Sequence, residues 1–298
     1  MAKQRRSLSG KVVAITGGAQ GIGKATATAL VRKGCRVAIG DIDLALAEKT
    51  ASGLGGGTVA LALDVTDRAS FSSFLDEAER QLGPVDVIVN NAGIMPVTAL
   101  VDETDASIKR QLDINIYGVL VGIQLAIERM RPRGSGHIVN LASQAGKTAL
   151  PGIATYSGTK HAVVGISEAT RAELRGSGVE VHCVMPTVVN TDLTAGLSQK
   201  LIPKVEAEDV ANEIVDALEL GRFDVYVPRS NAIISRIGPL LPRRVSEAIG
   251  RLMKADKLMF EVDHGARRAY EERAAASEPS ATGSSDAEAP SAAQRDAA

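Results

Sequence analysis

A tyrosine and a lysine stand four residues apart at Tyr156 and Lys160. On a helix this spacing places both side chains on one face, one turn apart. A free phenol has a pKa of about 10, so exchange of a proton near neutral pH requires a shift of roughly three units, or about 4 kcal/mol. A nearby ammonium group favours the phenolate. The pair therefore indicates an acid–base tyrosine, although such pairs are also common as surface neighbours.

Two more polar residues stand where chemistry is possible. Ser143 closely follows an apolar strand pattern, at the edge where parallel sheets bind ligands, and its hydroxyl can hold a reacting oxygen while charge develops there. Asn115 interrupts an apolar helical stretch, so we expect it to cap a local break or to hold a water molecule. From residue chemistry we predict that Ser143, Tyr156 and Lys160 are catalytic.

A glycine-rich turn at residues 17–23 follows the first strand pattern and opens a helix. Glycines let the backbone turn sharply and approach a pyrophosphate closely, and a helix N-terminus offers free N–H groups to phosphate oxygens. Glycines alone also fit a tight turn without a ligand, but the position in a strand–helix unit favours a dinucleotide. The predicted contacts are Gly17, Gln20, Gly21, Ile22 and Gly23.

Asp41 ends the second strand pattern, 18 residues after Gly23. A carboxylate there can accept hydrogen bonds from the adenosine ribose hydroxyls, and it repels a 2′-phosphate. Ile42 rather than an arginine follows it, and Gln20 rather than a basic residue precedes Gly21. We therefore predict NAD(H) rather than NADP(H), with a solvated loop aspartate as the competing interpretation. Later strand ends supply further predicted contacts at Asp64, Val65, Asn91, Ala92 and Gly93.

The elements that must position these residues are short apolar runs that alternate with helical patterns. Unbroken apolar runs fit strands buried on both faces, and their repeated alternation with helices predicts an α/β fold with a doubly wound, parallel, seven-stranded Rossmann-like sheet. The predicted strands are 11–16, 36–40, 59–63, 85–90, 137–141, 179–185 and 224–227. The predicted helices are 23–33, 44–54, 68–82, 104–131, 154–175 and 206–220.

The chain divides into four predicted parts: an N-terminal arm at 1–10, a dinucleotide-binding catalytic domain at 11–228, a helical extension at 229–273 and a disordered tail at 274–298. The tail has almost no large apolar residue. The extension has a basic amphipathic pattern that suits a membrane surface, a second subunit or, as we favour, the protein's own pocket. That pattern consists of Ile233, Ile234, Arg236, Ile237, Leu240, Leu241, Arg243 and Arg244.

Composition excludes several classes of protein. A net charge of -1 gives no electrostatic case for nucleic acid. No apolar run reaches the length of a membrane span, and the basic N-terminus lacks the apolar core of a secretory signal. Cys35 and Cys183 lie in apolar stretches, which fits buried thiols in a reducing compartment. We expect a cytoplasmic protein.

Taken together, the motifs resemble those of the non-extended, NAD-preferring short-chain dehydrogenases/reductases, from about residue 10 to residue 228. The matching segments are TGGAQGIG at 16–23, Asp64, NNAG at 90–93, Asn115, Ser143, YSGTK at 156–160 and Pro186 with Thr191. The resemblance implies that Tyr156 exchanges the hydroxyl proton, that Lys160 lowers its pKa and holds the nicotinamide ribose, that Ser143 positions the reacting oxygen and that Asn115 supports a proton relay. It also implies cofactor contacts at Tyr156, Lys160, Pro186, Val189 and Thr191.

The chain departs from the family at Thr187, where the family has glycine after proline, so the pocket beside the nicotinamide is expected to be narrower. The family also implies a homodimer or homotetramer. Substrate residues are expected in the loops at 94–97 and 149–153 and after Thr191. The last of these carries an apolar stripe at Leu193, Leu197 and Leu201, which suits a lipophilic substrate but equally suits a lid helix.

We therefore expect an oxidoreductase that moves a hydride between NAD(H) and a secondary alcohol or ketone, lipophilic like a sterol, a retinoid or a long-chain carbinol. An NADP-preferring carbonyl reductase is the competing enzymatic interpretation, and Asp41 argues against it. Two non-enzymatic interpretations, a non-catalytic dinucleotide-binding module and a membrane-surface scaffold, both leave the catalytic set unexplained. No metal is predicted in the site.

Overall fold

A parallel sheet of seven strands forms the centre of the computed structural model, which describes residues 4–196, 205–237, 242, 244 and 263–276. The strands lie in the order β3-β2-β1-β4-β5-β6-β9, and a separate short pair joins β7 to β8. The bounds are β1 (Val12–Thr16), β2 (Arg36–Asp41), β3 (Val59–Ala62), β4 (Val87–Asn90), β5 (Gly136–Leu141), β6 (Val179–Pro186), β7 (Val189–Asn190), β8 (Val205–Glu206) and β9 (Asp224–Val227). The predicted doubly wound sheet is confirmed.

Helices cover both faces of this sheet, which explains why its strands are apolar on both sides. One core contains side chains of α1, α2 and α7, and the other contains side chains of α3, α5 and α6. The helices are α1 (Gly21–Arg32), α2 (Leu44–Leu54), α3 (Arg68–Leu82), α4 (Asp105–Leu112), α5 (Gly118–Met130), α6 (Ala154–Glu173), α7 (Ala207–Leu220), α8 (Asn231–Ile237) and α9 (His264–Ala276).

The strand order reverses at the contact between β1 and β4, because the chain adds β2 and β3 on one side and β5 and β6 on the other. The loops that follow β1 and β4 therefore diverge and leave a crevice beyond the carboxyl ends of the strands. The glycine-rich turn follows β1, and residues 91–93 follow β4. The fold thus brings the predicted dinucleotide segments to one crevice.

The helix predicted at 104–131 is confirmed as continuous helical structure from Asp105 to Met130, but it contains a π turn at Asp113–Tyr117 between α4 and α5. This π turn is the local break expected at Asn115. The Asn115 side chain forms hydrogen bonds to Ile94, in the loop after β4. Several predicted boundaries also move by one or two residues; for example, α1 begins at Gly21, and β4 begins at Val87. The backbone N–H of Val85 donates to the Glu79 carboxylate at 3.0 Å. This N–H group therefore makes no hydrogen bond to any neighbouring strand that the structure describes.

The C-terminal extension contributes α8 and α9 to the described residues. The predicted start of a disordered tail at Ala274 is wrong, because α9 continues to Ala276 and Ala274 is buried in a core. Arg244 is exposed. None of the helices in the described ranges is long and apolar enough to cross a bilayer. Other predictions concern positions outside the described residues: Leu197, Leu201, Leu240, Leu241, Arg243, residues 277–298 and the side chains of Ile234, Arg236 and Ile237.

Candidate active site

The glycine-rich turn forms a tight cradle between β1 and α1. Gly17 and Gly21 have φ angles of 63° and 54°, a conformation that side chains disfavour. A Cβ atom on Gly23 would lie 2.2 Å from the carbonyl oxygen of Gly17, so only glycine fits there. Gln20 is the N-cap residue of α1, and within the described part of the chain its side chain makes no capping hydrogen bond to the helix. The first N–H groups of α1 are therefore available to a phosphate.

The loop after β4 is fastened to this cradle. The side-chain amide of Asn91 donates to the carbonyl oxygens of Thr16 and Gly17, both at 2.9 Å. The Thr16 hydroxyl oxygen accepts from the backbone N–H groups of Asn91 and Ala92, both at 3.0 Å. These bonds hold the two segments of the crevice in fixed relative positions.

Asp41 lies at the carboxyl end of β2, next to the cradle. Its carboxylate accepts from the N–H of Ala19 at 3.0 Å and from the N–H of Asp43 at 3.2 Å. Burial raises the pKa of Asp41 despite these bonds. Asp64 lies farther along this edge, where its carboxylate accepts from the N–H and hydroxyl of Thr66 at 2.9 and 2.7 Å. Asp64 thus shapes the loop that carries Val65.

Tyr156 and Lys160 lie one turn apart on α6, and both are buried. The Ser143 side chain lies close enough to the Tyr156 hydroxyl to favour the phenolate, which opposes the effect of burial on the pKa of Tyr156. The Ser143 hydroxyl also accepts from the N–H of Ala145 at 3.1 Å, which fixes the turn after β5. The Lys160 ammonium donates to the carbonyl oxygen of Leu141 at 2.7 Å. The structure therefore brings the predicted serine, tyrosine and lysine together.

Burial dominates the ionisation of this group. It raises the pKa of Tyr156 above its ordinary value, and it lowers the pKa of Lys160 to about 8. Desolvation of the phenolate is the largest influence on the Tyr156 pKa in the protein alone. The lowering of this pKa by Lys160 together with the positive nicotinamide ring stays a prediction.

Asn115 lies beneath the site rather than at its surface. Its side-chain oxygen accepts from the N–H of Ile94 and its amide donates to the Ile94 carbonyl, both at 2.9 Å. The amide also donates to the Thr159 hydroxyl at 3.2 Å, and that hydroxyl donates to the Tyr156 carbonyl oxygen at 2.7 Å. The π turn thus lets one side chain connect the loop after β4 to the helix that carries Tyr156.

One cavity of about 1120 Å³ contains most of the predicted residues. Gly23 and Asn115 do not line it but pack beneath its wall. Thr187, the departure from the family pattern, lines it with Pro186. The other predicted residues on its wall are Gly17, Gln20, Gly21, Ile22, Asp41, Asp64, Val65, Asn91, Ala92, Gly93, Ser143, Tyr156, Lys160, Val189 and Thr191.

Helix α9 closes part of this cavity with residues that the sequence analysis missed. The fully buried guanidinium of Arg267 donates to the carbonyl oxygens of Leu193 at 2.9 Å and Ala195 at 3.3 Å, and also to that of Met95. The Tyr270 hydroxyl accepts from the N–H of Met95 at 2.7 Å. Arg267 and Tyr270 are three residues apart, which places their side chains on one helix face. This spacing was the signal that the sequence offered.

Comparison with known proteins agrees with this geometry. The family model described as "short chain dehydrogenase" matches residues 11–202. The 17-beta-hydroxysteroid dehydrogenase 13 of Rattus norvegicus is 31% identical over 89% of this chain and 89% of its own length. The sorbitol dehydrogenase of Cereibacter sphaeroides is 36% identical over 73% of this chain and 87% of its own length.

A solved structure is also similar to this one. It is the crystal structure of a short-chain dehydrogenase/reductase from Burkholderia phymatum in complex with NAD, with a TM-score of 0.72 and 25% identity. The match covers 78% of this chain and 94% of the other. The sheet, the cradle and the matched length lead to one conclusion: the chain belongs to the short-chain dehydrogenase/reductase family and is an oxidoreductase that acts on CH–OH groups.

Proposed function

We propose that this enzyme transfers a hydride between NAD(H) and a lipophilic secondary alcohol or ketone, with Ser143, Tyr156 and Lys160 as its catalytic residues. One observation carries the proposal: the cavity that contains the phosphate cradle is also lined by Ser143, Tyr156 and Lys160. A dinucleotide in the cradle and a substrate oxygen at Tyr156 would therefore occupy one continuous space.

The residues present fit a dinucleotide. The cradle offers glycines and free N–H groups for a pyrophosphate, and Asp41 offers a carboxylate for the adenosine ribose. When bound, the nicotinamide ring supplies or accepts the hydride. The neighbouring Lys160 is the residue that we propose to hold the nicotinamide ribose. Val189 and Thr191 would contact the nicotinamide end, because they line the same wall as Lys160.

The protein's part in the reaction is to position the substrate oxygen and move its proton. In ketone reduction Tyr156 gives its hydroxyl proton to the substrate oxygen, and in alcohol oxidation it removes that proton. Ser143 holds the same oxygen while charge develops on it, a contribution of a few kcal/mol in comparable sites. Lys160, held by the Leu141 carbonyl oxygen, stabilises the phenolate. Asn115 acts as a positioning residue, because its bonds run to Ile94 and Thr159.

NAD(H) is the proposed cofactor in preference to NADP(H). Two backbone N–H groups fix the Asp41 carboxylate beside the phosphate cradle, where we propose that the adenosine ribose binds. A 2′-phosphate there would meet a negative charge in a partly desolvated place, where repulsion is stronger than in water. Ile42, which follows Asp41, is exposed and carries no compensating charge.

The lipophilic substrate is inferred from the side chains around Tyr156. A small apolar cluster, separate from the two cores, surrounds the tyrosine ring. A hydroxyl-rich substrate would leave its polar groups without partners against such a wall. The rat relative is named for a hydroxysteroid and the Cereibacter relative for sorbitol, and the aliphatic wall favours the first class. The cluster consists of Met95, Ala145, Ile153 and Tyr156 with Val97, Leu150, Val188 and Leu193.

A substrate screen tests this function. Secondary alcohols of graded size and polarity, from sorbitol to hydroxysteroids and long-chain carbinols, are offered with NAD and with NADP while NADH fluorescence is recorded. We expect turnover of the large apolar alcohols with NAD. Turnover of polyols alone contradicts the lipophilic assignment. NADH binding without turnover of any alcohol or ketone favours the non-catalytic module.

We further propose a cytoplasmic homodimer or homotetramer. Leu112 and Tyr117, at the junction of α4 and the π turn, are large apolar side chains exposed in the single chain, as expected of a surface that another subunit covers. Both cysteines are buried and free, which fits a reducing compartment. Light scattering after size-exclusion chromatography should give twice or four times the chain mass.

A further inference from the structure

Three potential metal ligands lie together on β5 and β6, away from the catalytic cavity. His137 is the register partner of Glu180 in the adjacent parallel strand, and His182 stands two residues farther along. Side chains two apart on a strand point to the same face, so all three project from one face of the sheet. They lie near the beginnings of these strands, whereas Ser143 and Pro186 lie at the opposite ends.

The two imidazole nitrogens are spaced as ligands of one metal ion. His137 Nδ1 lies 3.1 Å from His182 Nε2. Two nitrogens bound to one Zn²⁺ at about 2.0–2.1 Å lie roughly 2.9–3.4 Å apart. A carboxylate oxygen of Glu180 completes the set, with all three ligand atoms within 4.8 Å of one another. Ligand atoms bound to one ion at about 2.0–2.2 Å lie at most about 4.4 Å apart, so the half-buried Glu180 side chain would move towards the histidines on metal binding.

The buried imidazole is already oriented as a ligand. His182 donates from Nδ1 to the carbonyl oxygen of Arg222 at 2.7 Å, so Nε2 carries the lone pair, which accepts from His137 Nδ1–H and would bind a metal in place of that proton. Metal-binding histidines usually make such a bond through their other nitrogen, because it fixes the tautomer and the ring. Burial also lowers the pKa of His182 to about 4, so the ring is neutral at physiological pH.

An ion can reach this cluster from outside. His137 and Glu180 are only partly buried, and Glu180 lines a cavity of about 420 Å³. One Glu180 oxygen accepts from Arg6 at 2.6 Å. Among the described residues no hydrogen bond reaches the second oxygen, so the carboxylate can bind a metal and keep Arg6. Without a metal, the cluster is held by the contact between His137 and His182 and by the ion pair between Arg6 and Glu180.

We propose that His137, Glu180 and His182 bind a divalent transition-metal ion of the zinc class. Two imidazoles and one carboxylate are borderline donors that suit Zn²⁺ and disfavour Mg²⁺ and Ca²⁺. Three protein ligands leave at least one position for water. The site lies near the amino ends of β5 and β6, whereas the catalytic cavity lies at the carboxyl ends of the strands. The metal site is independent of the proposed reaction.

Calorimetric titration of the metal-free, untagged full-length chain with Zn²⁺ tests the proposal. We expect one ion per chain, and with Co²⁺ the visible absorption of a site that contains nitrogen ligands. His137→Asn and Glu180→Gln should each weaken binding by about tenfold or more. His161→Asn, which changes a histidine on α6 outside the cluster, is the matched control.

NADH binding by each variant shows that it has folded. Absence of Zn²⁺ binding by the unaltered chain overturns the proposal. So does binding that His161→Asn weakens as much as His137→Asn does, because that result would assign the ion to dispersed surface histidines. Equal affinity for Mg²⁺ would also overturn it, because the two histidines would then give the site no preference for ions of the zinc class.

Discussion

The ammonium nitrogen of Lys160 lies 5.6 Å from the centroid of the Tyr156 ring. At this distance the charge acts on the ring without bonding to its hydroxyl, and the ammonium is held instead by the Leu141 carbonyl oxygen. Burial therefore leaves Tyr156 protonated in the protein alone. This state suits a tyrosine that donates a proton during reduction, when the nicotinamide carries no positive charge.

The two directions of reaction should differ in pH dependence. Ketone reduction needs protonated Tyr156 and charged Lys160, so its kcat/KM should be flat from about pH 6 to pH 7 and fall to about half by pH 8, because the pKa of Lys160 is about 8. Alcohol oxidation needs the phenolate, so its rate should rise with pH over the same interval. Initial rates in both directions measure this, and an oxidation rate that declines from pH 6 to pH 8 contradicts it.

Tyr156→Phe removes the hydroxyl while keeping the buried ring. Turnover should fall by about 10²- to 10⁴-fold, the usual contribution of a positioned acid–base group, while the affinity for NADH stays close to that of the unaltered chain. Steady-state rates and NADH fluorescence titration measure the two effects. Tyr117→Phe, at an exposed tyrosine of the π turn, is the matched control. Near-normal turnover of Tyr156→Phe would refute the assigned role.

Asp41→Asn should change cofactor preference while the fold survives. An asparagine oxygen can still accept from Ala19, but the negative charge that repels a 2′-phosphate is gone. The ratio of kcat/KM for NAD to that for NADP should fall roughly tenfold or more, equivalent to about 1.4 kcal/mol. Glu48→Gln removes a charge from the exposed side of α2 and should leave the ratio unchanged. An unaltered ratio in Asp41→Asn would remove the ribose assignment.

Arg267→Met should open the substrate side of the cavity. It leaves the carbonyl oxygens of Leu193, Ala195 and Met95 without their buried donor, a loss of roughly 2–4 kcal/mol. The KM for the alcohol should therefore rise much more than the KM for NAD. Arg268→Met changes the adjacent exposed arginine and serves as the control. Equal increases in both KM values would show that α9 does not act on the substrate side.

Local patterns predicted most of the sheet and the catalytic set. Apolar runs and glycine turns are encoded in adjacent residues, and Tyr156 and Lys160 share one helix, so their juxtaposition needed no knowledge of distant contacts. The π turn was predicted only as a break at Asn115. Its form depends on bonds from Asn115 to Ile94 and Thr159, which are distant in sequence.

The parts that sequence analysis missed depend on contacts between remote segments. Arg267 meets Met95 across 172 positions, and no periodicity in either segment indicates that pairing. His137 and Glu180 become neighbours only through the register of β5 and β6. The raised pKa of Tyr156 likewise follows from burial, which depends on the complete fold rather than on the spacing to Lys160.

Because Arg267 joins Met95 to Leu193, the two halves of the pocket are completed at different times during translation. A chain emerges from the ribosome N-terminus first, so the phosphate cradle and the Tyr156 helix are synthesised well before the segment at 263–276. The part of the cavity proposed to bind the dinucleotide can therefore form on the nascent chain before α9 closes the part proposed to bind the substrate. Substitutions in this late segment are therefore expected to act on the proposed substrate side more than on the phosphate cradle.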